Sequence, residues 1–351
     1  MSRIRQCYSG IGGQAVLEGI MMKNKDEYSV AVRKPDGQIV VTRQKYEGIL
    51  GNSIILKIPF LRGFFIFLDS MILGTRSLNY SAEFFDEETA EPKNTKPQKA
   101  EQKSAKQSLW ITMTTVIAVL FAVAVFVILP YYLASWCSVW IRSKSLLALL
   151  EGVLRVAMFI LYIGAISMMK DIQRVYMYHG AEHKCINCIE KGYPLTVKNV
   201  MKSSRQHKRC GTSFMLYVML ISIVMFFFIR VDNVALKIIL RIILIPVIAG
   251  ISYELIRLAG RYDGWLVRGL SAAGMWLQGM TTREPDEKIV EVAIAAVEEI
   301  FDWRAYQATA FGSDVSKDSE SEENQEEDDA EEQIYDHNSE ESDDEEEEEM
   351  I

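Results

Sequence analysis

The 351-residue chain is 49% hydrophobic, carries a formal net charge of −9 and has only five cysteines. That charge is an average of two unlike parts: from Asp314 onward 21 acidic residues face the single Lys317, a net of −20, which leaves the rest of the chain at +11. A chain of this length holds one or two domains; with no Walker A loop and no dinucleotide fingerprint, neither nucleotide cofactors of those classes nor a nucleic-acid partner is expected.

In chain order, Met1–Gly13 lacks the apolar core of a signal peptide, so cleavage and export by that route are not expected. "GIGGQAVLEGIMM" (10–22) opens with glycines and turns apolar. "YSVAVRKPDGQIVVTRQKY" (28–46) alternates apolar and polar residues on both sides of Pro35-Asp36-Gly37, which predicts a β-hairpin turning at Asp-Gly. Ile54–Tyr80 is apolar but interrupted by Pro59, Arg62, Gly63 and Asp69, a pattern that suits an interfacial or re-entrant helix better than a span. Residues 1–82 therefore read as a cytosolic or interfacial region containing the hairpin, and 83–108 as a lysine-rich linker.

Four apolar runs follow, Leu109–Leu133, Leu146–Met169, Ser213–Ile229 and Val234–Ile256. Each approaches the roughly 20 residues that cross a bilayer, and four such runs in one soluble core would be unusual. The fold class expected is mainly α, a polytopic helical membrane domain of about four spans over 109–262, with a small N-terminal β-containing cytosolic region. Lysine and arginine are dense before the first run, in 170–212 and after the fourth run, and sparse near 142 and 230. By the positive-inside rule, both termini and 170–212 are cytosolic. Basic residues of the body suit the anionic cytoplasmic leaflet, so the lipid bilayer is the expected partner. Within the second run, Glu151 and Arg155 stand four apart, the spacing of a structural ion pair. Beyond the fourth run, 263–311 reads as an interfacial segment followed by an amphipathic helix that starts near Thr282–Glu287 and ends near Phe301. The tail, 312–351, is low-complexity and acidic and cannot bury a core.

The densest chemistry is "YHGAEHKCINC" (178–188), just after the second run. No proline occurs between Lys170 and Glu190, so a helical extension of the second span is expected, ending near Gly192. At about 100° per residue, His179 and His183 share a face, Glu182 flanks it and Glu190 returns to it two turns later. This is the H-x-x-E-H arrangement of inverzincin metallopeptidases, in which two histidines hold a metal and the glutamate is the base. The same angles put Cys185 and Cys188 on the opposite side. "RQHKRCGT" (205–212) adds His207 and Cys210. In a reducing compartment this clustering points to a divalent metal, zinc by ligand type, rather than to disulfides. The third ligand is His207, Cys210 or Glu254; Glu254 reads equally well as an ion pair with Arg257.

The strings "GGQAVLEGIMM" (12–22), "YHGAEHK" (178–184), "HKRCGTSF" (207–214), "YELIRLAG" (253–260) and "TTREPDE" (281–287) occur in order. Together they resemble the YqhQ-like family of uncharacterised bacterial multipass membrane proteins, described as predicted metal-dependent enzymes. The resemblance covers most of 10–300 and implies a cell-membrane location and a metal site, without a substrate. Cys185 lies outside the shared motif. The expected function is a metal-dependent hydrolase acting at the cytosolic face, with Glu182 as base and His179 and His183 as ligands. The alternative is a non-enzymatic scaffold in which a metal or polar cluster orders 170–212 for partner binding. Transport ranks third, because paired charges and broken helices near mid-bilayer are few.

Overall fold

The computed structural model describes residues 7–85 and 113–312, apart from 52, 115, 119, 123, 230, 232 and 260–264. Almost all of the lysine-rich linker and of the acidic tail lies outside the described residues.

Four antiparallel strands, β1 (Gly12–Val16), β2 (Gly19–Asn24), β3 (Glu27–Arg33) and β4 (Ile39–Lys45), pair in chain order. The helices are α1 (Leu61–Ala82), α2 (Leu129–Trp136), α3 (Lys144–Ile166), α4 (Lys170–Glu190), α5 (Val197–Lys202), α6 (Gly211–Phe227), α7 (Val234–Ala259), α8 (Trp265–Thr281), α9 (Glu287–Ile300) and α10 (Trp303–Phe311).

The expected hairpin is β3–β4; its turn places Gly37 at φ +87°, with the Gly37 N–H donating to the Lys34 carbonyl at 2.9 Å. The β1–β2 and β2–β3 hairpins give no comparable signal in the sequence. Their two-residue loops are Leu17-Glu18 and Lys25-Asp26, and the positive φ falls on Glu18 (47°) and Lys25 (54°), where Asn-Gly or Asp-Gly is the usual choice. Glu18 is held there by an ion pair with Arg174 and a 3.1 Å hydrogen bond from the Tyr178 hydroxyl.

The two-residue period of the strands splits the apolar residues between two faces. Ile20, Met22 and Ala31 join Ala181, Cys185 and Ile186 of α4 and Val290 and Ala293 of α9 in one core. Met21, Val30 and Val32 pack on Leu73 of α1 in another. The sheet is thus sandwiched between α1 and the α4–α9 pair, and N-terminal strands share a core with residues far along the chain. Asp286 caps α9, accepting from the Ile289 N–H at 2.8 Å.

Among the described residues, three helices are long and apolar enough to cross a membrane by length and composition: Val116–Val139, Lys144–Ile166 and Ile239–Ala259. These mark a membrane protein. The remaining expected span, Ser213–Ile229, is the apolar helix α6 of 17 residues. At 1.5 Å per residue it is about 26 Å long, slightly short of a hydrocarbon core of about 30 Å. The segment from 265 is a helix buried partly against α6, where Gly274 meets Ser213 and Gln278 is fully enclosed.

Where the sequence predicts one helix running from the second span to Glu190, the chain breaks at Ser167–Met169: Met169 is extended (φ −73°, ψ 131°) and α4 starts anew. Gln173 and Arg283 supply the donors for the carbonyls freed at the break, both reaching Ser167. Glu151 pairs with Arg155 at 3.0 Å as the spacing predicts, and also with Arg241 of α7 at 2.8 Å. Removing one partner from a buried ion cluster strands the others, at a cost of about 3–5 kcal/mol. Glu151→Ala should therefore lower the thermal midpoint of the detergent-purified protein by several degrees, and an unchanged midpoint would refute a structural role for this cluster.

Candidate metal centre

Helix α4 carries two different stripes. Tyr178, Ala181, Cys185, Ile186, Cys188 and Ile189 face the sheet and α9 and are buried at the core. Burial pushes the Cys188 thiol up to about 12 and raises that of Cys185 as well, so both are neutral core thiols. This is the side that the helical angles predict for them.

The second stripe grips the segment 201–209. His183 Nδ1 lies 2.7 Å from the Arg205 carbonyl, Lys184 Nζ donates to the carbonyls of Met201 (2.8 Å) and Ser203 (2.9 Å), and Asn187 Nδ2 donates to those of Ser204 (2.7 Å) and Gln206 (2.9 Å). Glu190 takes Arg209, and accepts from Ser9 N at 3.0 Å. Positions 183, 184, 187 and 190 are the spacing of one helix face, so this face pins a backbone that has few partners of its own. The segment delivers Cys210, which caps α6 and whose Sγ accepts from the Thr212 N–H at 3.4 Å.

A third segment closes the site. The backbone of 281–283 lies against α4 at Gly180, where a Cβ would collide with the Arg283 carbonyl. Gly180 is therefore a point of close approach rather than a helix breaker. The approach is locked by the Arg283 N–H donating to the Tyr176 carbonyl at 2.9 Å, and it brings the Thr281 carbonyl to 2.9 Å from His179 Nδ1.

Both imidazoles are thus oriented through Nδ1 by backbone carbonyls. One ring nitrogen from each of His179 and His183 and the Cys210 Sγ fall within 4.8 Å of one another, with His179 Nε2 at 3.2 Å from Sγ. In a tetrahedral zinc site with Zn–N near 2.0 Å and Zn–S near 2.3 Å, an N···S edge is about 3.5 Å. The donors fit a divalent metal in type, spacing and orientation. Carbonyl partners on Nδ1 are what metal-ligating histidines commonly have.

The electrostatics agree with that geometry. Burial would raise the Cys210 thiol, but His179 and His183 hold it well below its ordinary value, as a thiolate. Burial would lower His179, but the Cys210 sulfur, followed by Glu182, raises it to about 9. The raised His179 pKa by itself contributes stability that is present below the unfolded value near 6.5 and lost as pH rises through about 9, whereas the depressed Cys210 pKa contributes stability that is lost as pH falls, so the ion pair stabilises the fold most between about 6.5 and about 9.

Of the other expected residues, Glu182 is buried on the same wall, and one oxygen accepts from the Gly13 N–H of β1 at 3.0 Å. His207 is enclosed nearby, its ring 5.8 Å from that of His183, but its Nε2 faces Glu190 at 3.4 Å. Glu190 is pulled down to about 2, since His207 and Arg209 outweigh its burial. Glu254 is not with the group: Arg62 clasps both its oxygens at 2.6 Å, so it is an ion pair with a partner other than the expected Arg257. The cluster lines a cavity of about 670 Å³ floored by α4 and walled by β1, β2, α1 and α7. Spacing along α4 pointed to the two histidines; the carbonyls of Arg205 and Thr281 and the N–H of Gly13 have no signal in side-chain chemistry and come only with the fold.

These features define a helical membrane protein with a His₂Cys cluster lining a cavity. The family model described as "Protein of unknown function (DUF1385)" matches residues 58–303, and the chain belongs to that family. It is similar to a Bacillus subtilis (strain 168) protein called "Uncharacterized protein YqhQ", with 36% identity over 292 residues that cover 82% of this chain and 91% of the other. No solved structure matches.

The thiolate state has a direct readout. Alkylation of metal-free protein by iodoacetamide, mapped by mass spectrometry, should proceed at Cys210 at nearly the same rate at pH 6.5 and 8.5. An ordinary thiol, with a pKa near 8.5, should gain about 50-fold across those two units. A rise of that size at Cys210 would remove the imidazole–thiolate pair from the account.

Proposed function

We propose that the protein is a metal-dependent hydrolase of the cell membrane whose site opens on the cytosolic face. The observation that carries this reading is that three protein donors, His179, His183 and Cys210, converge on a cavity. Structural zinc sites are closed by four protein ligands, whereas catalytic sites keep one position open. A divalent metal bound there, zinc by its ligand set, would supply Lewis acidity and a water that is acidic near neutral pH. Glu182 has one oxygen occupied by the Gly13 N–H, and its other oxygen would serve as the proton acceptor of the site. Desolvation around Glu182 and His183, both nearly inaccessible to solvent, keeps the proton transfer within the protein.

The alternative is a non-enzymatic scaffold in which a metal or polar cluster orders 170–212, and the direct hydrogen bonds and ion pair that Lys184, Asn187 and Glu190 make to that segment are the observation in its favour. A metal-free cysteine nucleophile has a specific observation in its favour, the 3.2 Å contact from His179 to Cys210 with Thr281 orienting the imidazole. Metal content separates the two. Purified Glu182→Gln and Cys185→Ser should retain one metal per chain, whereas His179→Ala, His183→Ala and Cys210→Ser should lose it. Removing the base should cost about 10²–10⁴ in rate, so Glu182→Gln should fail to complement a strain lacking the gene at normal expression. Full complementation would sink the hydrolase mechanism, and a wild-type protein that binds no metal would favour the thiol.

The reading also carries a topology. The proposed fourth crossing is α6, which puts both termini and α5 in the cytosol and the segment near Arg142 outside. In a cysteine-free background, an impermeant maleimide applied to intact cells should label Arg142→Cys but not Lys202→Cys. Labelling at position 202 would invert the orientation.

A further inference from the structure

The cavity that holds the His₂Cys cluster has a charge its chemistry does not require. Its lining includes Lys23, Lys25, Arg62, Arg209 and Arg257, while Glu182 is the one acidic residue among the described lining. Two of the cations are engaged, Arg62 by Glu254 and Arg209 by Glu190. Arg209 also stacks on Tyr8, with 3.8 Å from its guanidinium to the ring centroid. Lys23 stands 5.1 Å over the Tyr46 ring, and its nearest acidic neighbours are Asp69 and Asp26. Asp69 is spoken for by the Ile49 N–H at 2.7 Å. Lys25, at the exposed β2–β3 turn, and Arg257, at the last turn of α7, bring two further positive charges to the same space.

The rest of the lining is apolar in part, with Leu56, Ile66, Leu73 and Ile256. Ile256 belongs to the last turn of Ile239–Ala259, a helix apolar enough to span a membrane, so the cavity lies at the level where that helix would leave the hydrocarbon. Beside Leu56 the chain presents a lip of bare apolar side chains: Ile54, Ile58, Phe60 and Leu61 are 43–73% exposed. A water-facing lip of that composition would be costly, whereas at a bilayer surface it buries apolar area at about 25 cal/mol per Å². The lip is anchored to the same helix: Gly250 of α7 accepts the close approach of the Phe60 backbone, and Gly63 that of Tyr253, whose Cβ is 2.6 Å from where a glycine Cβ would stand.

We infer that the substrate is a lipid with a phosphate-bearing headgroup, drawn from the bilayer past the Ile54–Leu61 lip. Its phosphate would be received by Lys23, Lys25 and Arg257, and its chain would lie along the apolar part of the lining. The inference rests on the hydrolase reading for what happens next, but the binding step does not depend on metal. Cations of the lysine and arginine type suit phosphate oxygens through charge-assisted hydrogen bonds, and the bilayer supplies the chain at high local concentration. A soluble phosphorylated compound would use the same cations without needing the apolar lining or lip.

The full-length protein in detergent, carrying Glu182→Gln to prevent turnover, would be titrated calorimetrically with three probes: dihexanoyl phosphatidic acid, dihexanoyl phosphatidylcholine and inorganic phosphate. The titrations would be run with zinc and again with EDTA. Phosphatidic acid should bind at least tenfold more tightly than either other probe under both conditions. Lys25→Gln and Arg257→Gln should each weaken it about tenfold, the loss of one charged contact. Leu56→Asn, which removes apolar surface without adding charge, should weaken phosphatidic acid and leave inorganic phosphate unchanged. Because Lys25 is exposed at a turn, its variant should fold normally even where Arg257→Gln does not. Equal affinity for inorganic phosphate would overturn the lipid assignment, and unchanged binding in Lys25→Gln would overturn the site. Lipid binding that persists without metal, in a protein that never loads metal, would retain this inference while the hydrolase reading falls.

Discussion

The architecture of the site depends on backbone carbonyls held against one face of α4. The carbonyls of Arg205 and Thr281 come from segments 76 residues apart, yet each stands within 3 Å of an imidazole Nδ1 on the same helix. A histidine constrained at Nδ1 has one ring nitrogen left to present, so two such contacts aim both Nε2 atoms into a common space. Gly180 makes the arrangement sterically feasible, because only a residue without a Cβ lets the 281–283 backbone approach so closely. Lys184, Asn187 and Glu190 do the corresponding work for 201–209.

The same helix ties the site to the membrane. Its break from α3 at Ser167–Met169 reorients α4 so that one side packs on the sheet and the other holds the polar segments. Through β1, whose Gly13 N–H orients Glu182, the sheet becomes part of the chemistry rather than an appendage. Through α1, which contacts the other face of the sheet at Leu73 and α7 at Gly63, it is also linked to an apolar span. A cavity between these elements is lined by both cationic and apolar side chains because it is bounded by the sheet, by α1 and α4, and by the last turn of an apolar span.

Much of the organisation was legible in the residues. The period of β3 and β4 and the Asp36-Gly37 turn predicted their hairpin, and the helical angles of 170–190 separated Cys185 and Cys188 from His179 and His183. Apolar runs located the membrane helices, although α6 is shorter than the others and, among the described residues, three helices have the length and composition of spans. The first two hairpins were not legible, because Glu18 and Lys25 occupy positive-φ positions that glycine or asparagine normally announces. Glu254, which reads in sequence equally as a third ligand or as the i, i+3 partner of Arg257, is held instead by Arg62, 192 residues away, a pairing that no local spacing announces.

By itself, then, the sequence determined the local periodicities, the polarity of each segment and the presence of side chains of the metal-ligating type about three helical turns beyond a membrane run. Those properties depend on residue type and on spacing along one helix or strand, which short-range geometry fixes. Only the tertiary structure decided that Cys210 joins the two histidines while His207 turns to Glu190 and Glu254 to Arg62. The physical reason is that each of those choices is made between segments remote in sequence. They are settled by backbone hydrogen bonds and by one close approach at Gly180, neither of which leaves a pattern in the order of side chains.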